Sequence, residues 1–188
     1  IANQITLSGN SGERCKMAVD LIGKTFVTNM NLATTDLTVE TSATERMIFD
    51  YTYSLAGTDI TAFLESWTLT VNNNAATKFY GGQTPTSYIL NRFATNGSIK
   101  MAMSATTVGD NSQIDAFVSG AQKTFIASRG TTNTAGYQNI KVTALYTGAT
   151  VDPAEELMVE LPFDGVYIDS SNESVKIIAT ANIDRGIA

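Results

Sequence analysis

Strict alternation of apolar and polar residues is the feature that most constrains the fold of this chain. In the segment 66–72, Trp67, Leu69 and Val71 alternate with hydroxyl and amide side chains. A period of two places successive side chains on opposite faces of a β-strand, so one face is buried and the other meets solvent. The same signal predicts eight further strands, at 5–8, 16–22, 46–55, 98–104, 124–128, 139–147, 157–161 and 174–182.

Turn residues separate many of these strands, and the chain is rich in Thr, which favours pleated surfaces, and in Asn and Gly, which favour turns. Turns are expected at Gly57, at the pair Asn96-Gly97 and at Gly148. Pro153 and Pro162 are expected at the edges of strands, where a missing N–H group does no harm.

One segment departs from the β pattern. Ser112 suits the N-cap of a short helix and Gly120 its C-cap, while Ile114, Phe117 and Val118 fall on one helical face. We expect this helix to pack on the sheet.

No linker, composition shift or repeat divides the chain. The prediction is therefore one domain over residues 1–188: an all-β sandwich or half-barrel of about nine strands with one short flanking α-helix. Because the sequence opens on Ile1 rather than Met, we expect an N-terminus that is truncated or processed.

The residue types that most catalytic and metal sites need are missing. The chain has no His and one Cys, which excludes a Ser-His-Asp triad, an imidazole metal ligand and an intrachain disulfide. Cys15 stands between Arg14 and Lys16, which should lower its pKa slightly, although a structural role is the simpler interpretation. The net charge of −6, without a basic stripe, argues against nucleic-acid binding.

Carboxylates are the remaining candidates for chemistry. Asp152, Glu155 and Glu156 lie together, with Glu160 and Asp164 nearby. Paired carboxylates act as acid and base or bind a divalent cation, but this run is also typical of a solvated turn. We predict no enzyme activity, no cofactor and no metal site.

Two stretches resemble the tail tube (major tail) proteins of long-tailed bacteriophages. The first is the segment 63–74, a Ser–apolar–Thr strand that ends in Asn residues, followed by Pro85 and the strand at 98–104. The second is the opening strand pair, 5–12 and 18–25. Together they cover roughly a third of the chain.

The resemblance implies a β-sandwich or half-barrel with one flanking helix and a structural role. Hexameric rings of the protein would stack into a hollow tube, with other tail proteins as partners. Genomic DNA would pass through the lumen without specific binding, and no membrane would be involved. The location would be the virion tail, assembled in the host cytoplasm.

Two other functions stay open. One is a virion or surface β-sandwich that binds a ligand, such as a tail-tip adhesin or a carbohydrate-binding module. The other is a carboxylate-dependent hydrolase.

The long loop at 72–85 is the predicted contact between rings, because loops of this length usually serve a function. Its candidate contact residues are Asn73, Asn74, Lys78, Tyr80, Gly81 and Gly82. Trp67 alternates with apolar residues, so we expect it in the core.

A tube that conducts DNA should not hold it, so the inner wall should carry carboxylates, hydroxyls and amides. The cations expected mostly at subunit contacts or outside the channel are Lys16, Lys24, Arg46, Lys78, Arg92 and Lys123.

Overall fold

The computed structural model describes residues 2–22, 48–81, 87–90, 92–103, 112–132, 137–152, 157–167 and 173–179. This part of the chain forms thirteen β-strands and one α-helix, α1 (Ser112–Ser119). The strands are β1 (Ala2–Asn10), β2 (Lys16–Leu21), β3 (Thr52–Leu55), β4 (Thr58–Asp59), β5 (Leu64–Asn72), β6 (Ala75–Lys78), β7 (Ser87–Leu90), β8 (Ala94–Ala102), β9 (Gln122–Arg129), β10 (Gln138–Tyr146), β11 (Thr150–Asp152), β12 (Met158–Gly165) and β13 (Val175–Ala179).

Eleven strands form one antiparallel sheet, which curls into a half-barrel. Its main path runs β2-β1-β5-β8-β12-β10-β9-β3-β4, with β11 beside β12 and β13 beside β10. The strands β6 and β7 form a separate two-stranded sheet. Of the two architectures that the sequence left open, the half-barrel is the one observed.

The curl brings apolar side chains of distant strands together on the concave face. Trp67 on β5 and Phe125 on β9 have ring centroids 6.0 Å apart, although three strands lie between them in the sheet. Tyr53 on β3 stacks on Phe125 with centroids 6.2 Å apart. Trp67 is 2% exposed, so its predicted place in the core is confirmed.

All nine predicted strands overlap observed strands, but one of them is much shorter than predicted. Within 46–55, Ile48–Asp50 forms a turn of 3-10 helix and only Thr52–Leu55 is strand. The Ile48 carbonyl accepts hydrogen bonds from the Tyr51 N–H at 3.2 Å and the Tyr53 hydroxyl at 3.0 Å, which close this turn. Residues 46–47 lie outside the described residues.

The turn expected at Asn96-Gly97 is wrong, because both residues lie inside β8. A Cβ built at Gly97 would overlap the carbonyl oxygen of Thr68 and lie 2.7 Å from Cζ of Phe163. This glycine therefore allows the close approach of two neighbouring strands. The expected turn at Gly57 is confirmed: Ala56 and Gly57 both have positive φ and join β3 to β4.

Pro162 was expected at a strand edge but lies within β12. On one side of this strand, β11 pairs with Met158, Val159 and Glu160, while β10 pairs with residues 163–165. Pro162 falls in the gap between these two ladders, where a backbone N–H group has no partner strand to meet. Pro153 lies outside the described residues.

The predicted helix is confirmed as α1, and Gly120 follows it with φ of 66°. Its buried residues are Gln113 and Ala116, and Gln113 Oε1 accepts a hydrogen bond from the Tyr146 hydroxyl of β10 at 2.8 Å. Val118, expected on the packed face, is 77% exposed. The buried face of the helix is therefore centred on Gln113 and Ala116, each one residue before a position that the apolar pattern predicts to be buried.

Candidate assembly surfaces

Part of the segment predicted as a long loop, Ala75–Lys78, is instead one strand of a two-stranded β-ribbon. The strand β6 pairs with β7 from Ala75–Leu90 to Lys78–Ser87. The ribbon starts where the β5–β8 ladder ends, at the pair Asn72–Ala94. Neither ribbon strand joins the main sheet.

Asparagine side chains hold the base of the ribbon. The Asn73 backbone N–H donates to the Asn3 carbonyl and its side-chain amide to the Ala2 carbonyl, both at 2.8 Å. Asn74, with φ of 48°, donates through Nδ2 to the Arg92 carbonyl at 2.7 Å. These two predicted contact residues therefore anchor the ribbon within their own chain.

The far end of the ribbon is exposed and aromatic. Phe79 is 54% exposed and Tyr80 is 68% exposed, and Lys78 and Gly81 are exposed beside them. Gly82, the sixth predicted contact residue, lies outside the described residues. An isolated two-stranded hairpin is marginally stable in water, so a ribbon with exposed aromatic rings is typical of a surface that another protein covers.

The edge strand β2 exposes a second apolar surface. Met17 lies opposite Leu7 on β1, and Leu7 lies opposite the core residue Leu69. Met17, Val19 and Leu21 therefore continue the concave face of the sheet, yet all three are exposed. In the part of the chain that the structure describes, no strand pairs with the outer edge of β2. Such an edge favours pairing with another chain.

A cleft of about 320 Å³ opens on the concave side, between β1–β2 and β10–β13. The apolar residues that line it include Leu7, Met17, Trp67, Ile140 and Ile177. Cys15 lines it as well. The cleft lies at the open side of the half-barrel, next to the packed ring of Trp67.

Burial raises the pKa of the Cys15 thiol above its usual value, and the nearby Asp50 carboxylate acts in the same direction. The slight lowering expected from Arg14 and Lys16 is therefore wrong, because burial outweighs the charges of the sequence neighbours. Lys16 instead pairs with Glu13, with Nζ 2.9 Å from Oε2. The Cys15 thiol is therefore largely protonated, and its side chain forms part of the apolar lining of the cleft.

The opposite, convex face of the sheet is covered with hydroxyl and amide groups. Thr6 and Thr70 share a hydrogen bond of 3.4 Å, and Thr68 and Ser98 one of 3.1 Å. The charged residues on this face of β2, β8 and β12 are Lys16, Asp20, Lys100, Glu160 and Asp164. Both lysines are in ion pairs, since Lys100 Nζ lies 2.9 Å from Glu65 Oε2. On these three strands the convex face therefore has an acidic excess.

The carboxylates singled out in the sequence do not converge on a catalytic pair. Asp152 and Glu160 line a shallow cleft with Lys100. The pKa of Lys100 is raised by the hydrogen bond that it donates to Glu65 and by the negative charges of Asp152 and Glu160. Glu155 and Glu156 lie outside the described residues. Among the described residues, no group of three or more His, Cys, Asp or Glu could hold a metal ion.

The predicted cations take different positions. Lys78 and Arg92 are exposed at the two ends of the ribbon, while Lys123 is half-buried on β9. Lys24 and Arg46 lie outside the described residues.

A curled antiparallel sheet with exposed edges and one short helix is consistent with a subunit that assembles through its surfaces. The model of a protein family described as phage tail tube protein matches residues 1–165. The chain belongs to the phage tail tube protein family. This tail tube protein is thus a structural component of a virion tail, from a family that assembles with itself and with other tail proteins and is typically non-enzymatic.

Among curated proteins, none matches the chain at a significant level. In the described ranges, no helix of this tail tube protein is long and apolar enough to cross a membrane.

Proposed function

We propose that this protein forms hexameric rings, each subunit a single domain over residues 1–188, and that the rings stack into a hollow tube through which the phage genome passes. The observation that carries the proposal is the match of residues 1–165 to the tail tube family. Assembly takes place in the host cytoplasm, and the lumen binds no DNA sequence specifically.

The charge of the convex face supports its role as the inner wall. A wall with unpaired Lys or Arg would hold DNA by counterion release, whereas hydroxyls, amides and excess carboxylates leave phosphates free to slide. The convex face of β1, β5 and β8 carries mainly hydroxyls and amides, and its lysine, Lys100, is neutralised by Glu65. The apolar concave face is then directed away from the DNA.

The exposed ribbon and the uncovered edge of β2 support contacts between subunits. In this proposal, the ribbon residues Lys78, Tyr80 and Gly81, with Gly82, form the contact between successive rings. Asn73 and Asn74 contribute by holding the ribbon base.

Negative-stain electron microscopy of the purified protein tests the proposal. Rings with six-fold symmetry and long hollow tubes are expected. Discrete monomers at every concentration and ionic strength would contradict the proposal and favour a ligand-binding β-module instead.

A further inference from the structure

We propose that the aromatic tip of the β6–β7 ribbon, Phe79 and Tyr80, docks into the Cys15 cleft of the next copy along the tube. The inference rests on the proposed function, because it requires that copies stack. It assigns both the partner surface of the ribbon and the occupant of the cleft.

The two surfaces match in chemistry and size. The ribbon tip presents two exposed rings, and the cleft is lined largely by apolar side chains such as Leu7, Trp67 and Ile177. A cavity of about 150 Å³ holds a benzene molecule. The cleft of about 320 Å³ therefore has room for both rings.

The polar tip of Tyr80 also has a partner at the docking site. Gln138 lines the cleft, and its side-chain NH₂ group could donate a hydrogen bond to a tyrosine hydroxyl. Buried tyrosines usually find such a partner for the O–H group.

The charges of the two surfaces are complementary. The segment 73–93 carries Lys78 and Arg92 and no carboxylate, within a chain of net charge −6. The Asp50 carboxylate lies near Cys15 and next in sequence to Tyr51, which also lines the cleft. Opposite charges of this kind orient the docking of one copy on another.

The positions of the two surfaces favour contact between copies rather than within one. Asn72, at the base of the ribbon, lies five residues along β5 from Trp67 in the cleft, a distance of about 17 Å. Phe79 and Tyr80 are not among the described residues that line the cleft of their own chain. A contact between two different patches of identical chains is head-to-tail, and such contacts propagate into stacks.

The single cysteine makes the contact testable by cross-linking. The variants Phe79→Cys and Tyr80→Cys each place one new thiol on the ribbon tip, while Cys15 supplies the other. Oxidation of assembled tubes should produce a ladder of disulfide-linked multimers, because each subunit then bonds two neighbours. A disulfide requires Cα atoms about 4.4–6.8 Å apart, so the bond reports direct docking.

Two controls separate docking from random oxidation. Adding Cys15→Ser to either variant should abolish the ladder and leave at most symmetric dimers. Val118→Cys introduces a thiol that is equally accessible but lies on α1, away from the ribbon, and should give no ladder.

The variants Phe79→Cys and Tyr80→Cys each lose an aromatic side chain, and this loss alone could prevent assembly. A measurement on the wild-type protein therefore tests the docking site independently. Alkylation of Cys15 should be about tenfold slower or more in tubes than in unassembled subunits, since docking covers the thiol. Equal rates in the two states, or a thiol already blocked in the isolated subunit, would overturn the inference.

The outcomes also distinguish the two proposals. Tubes that form without a ladder and without protection of Cys15 would overturn the docking site and leave the tube function intact. If the wild-type protein forms no tubes, both the docking site and the proposed tube function are contradicted.

Discussion

At the scale of single residues, Trp67 links strands that are distant from one another in the sheet. It contacts the rings of Tyr53 and Phe125 from a strand that is not their neighbour. We expect Trp67→Ala to lower the free energy of unfolding by about 3–5 kcal/mol, because removal of the indole ring leaves a cavity in the core. Urea unfolding measures this loss, and Trp67→Phe, which keeps an aromatic ring, should lose less.

The fluorescence of the same residue gives an independent check. Trp67 is the single tryptophan, so its emission should be blue-shifted and iodide should quench it poorly. Emission like that of tryptophan in water would contradict the buried position.

Gly97 is a second residue on which the sheet depends. We expect Gly97→Ala to destabilise the protein by about 3 kcal/mol, near the top of the range for overpacking, because the new methyl group meets the backbone of Thr68 and the ring of Phe163. The neighbouring Ser98→Ala is the matched control, since it removes only a hydrogen bond on the convex face and should cost about 1 kcal/mol or less. Similar losses of stability in the two variants would contradict the close approach at Gly97.

At the scale of elements, the β6–β7 ribbon is separable from the fold. Asn72 and Ala94 are paired across β5 and β8. A short Gly-containing turn could therefore replace residues 75–90 and leave the pairing of the main sheet intact. We expect this variant to unfold as cooperatively as the wild-type protein, because the ribbon adds no strand to the main sheet. In electron micrographs it should remain unpolymerised.

A variant that keeps the ribbon controls for its removal. Phe79→Ser with Tyr80→Ser retains the β6–β7 ladder and deletes only the exposed rings. Loss of tubes in both variants would indicate that the aromatic tip is what matters. Tubes of normal length from the shortened chain would refute a role for the ribbon in stacking.

At the scale of the whole molecule, the charge of the convex face should decide how DNA moves through the tube. We expect Thr6→Lys with Thr70→Lys, which adds two unpaired cations to this face, to make assembled tubes retain DNA. Each new phosphate contact should add about −0.9 to the slope of log K against log salt. Filter binding over a salt series measures this slope, which should be near zero for wild-type tubes.

The position of the added charge is the control. Val118→Lys changes the net charge in the same direction but on the helix rather than on the convex face. If it increases DNA retention as much as the variants of Thr6 and Thr70 do, the convex face is not the channel wall.

The sequence by itself determined the positions of most strands and of the helix. Alternation along a strand and capping of a helix are local signals that depend on residues a few positions apart. They sufficed to predict β5 and α1 and to bury Trp67. The short strands β4 and β11 and the ribbon strands have too few residues for a period to emerge.

Only the tertiary structure decided the features that depend on residues distant along the chain. Gly97 and Pro162 resemble turn residues, but their roles depend on Phe163 and on the partners of β12, which no local pattern encodes. The candidate site also depends on residues that are distant along the chain, because the ribbon exists only through the pairing of β6 with β7. The cleft exists because the curl of the sheet brings Cys15 near Ile177, and burial there, rather than the charges of its sequence neighbours, sets the pKa of its thiol.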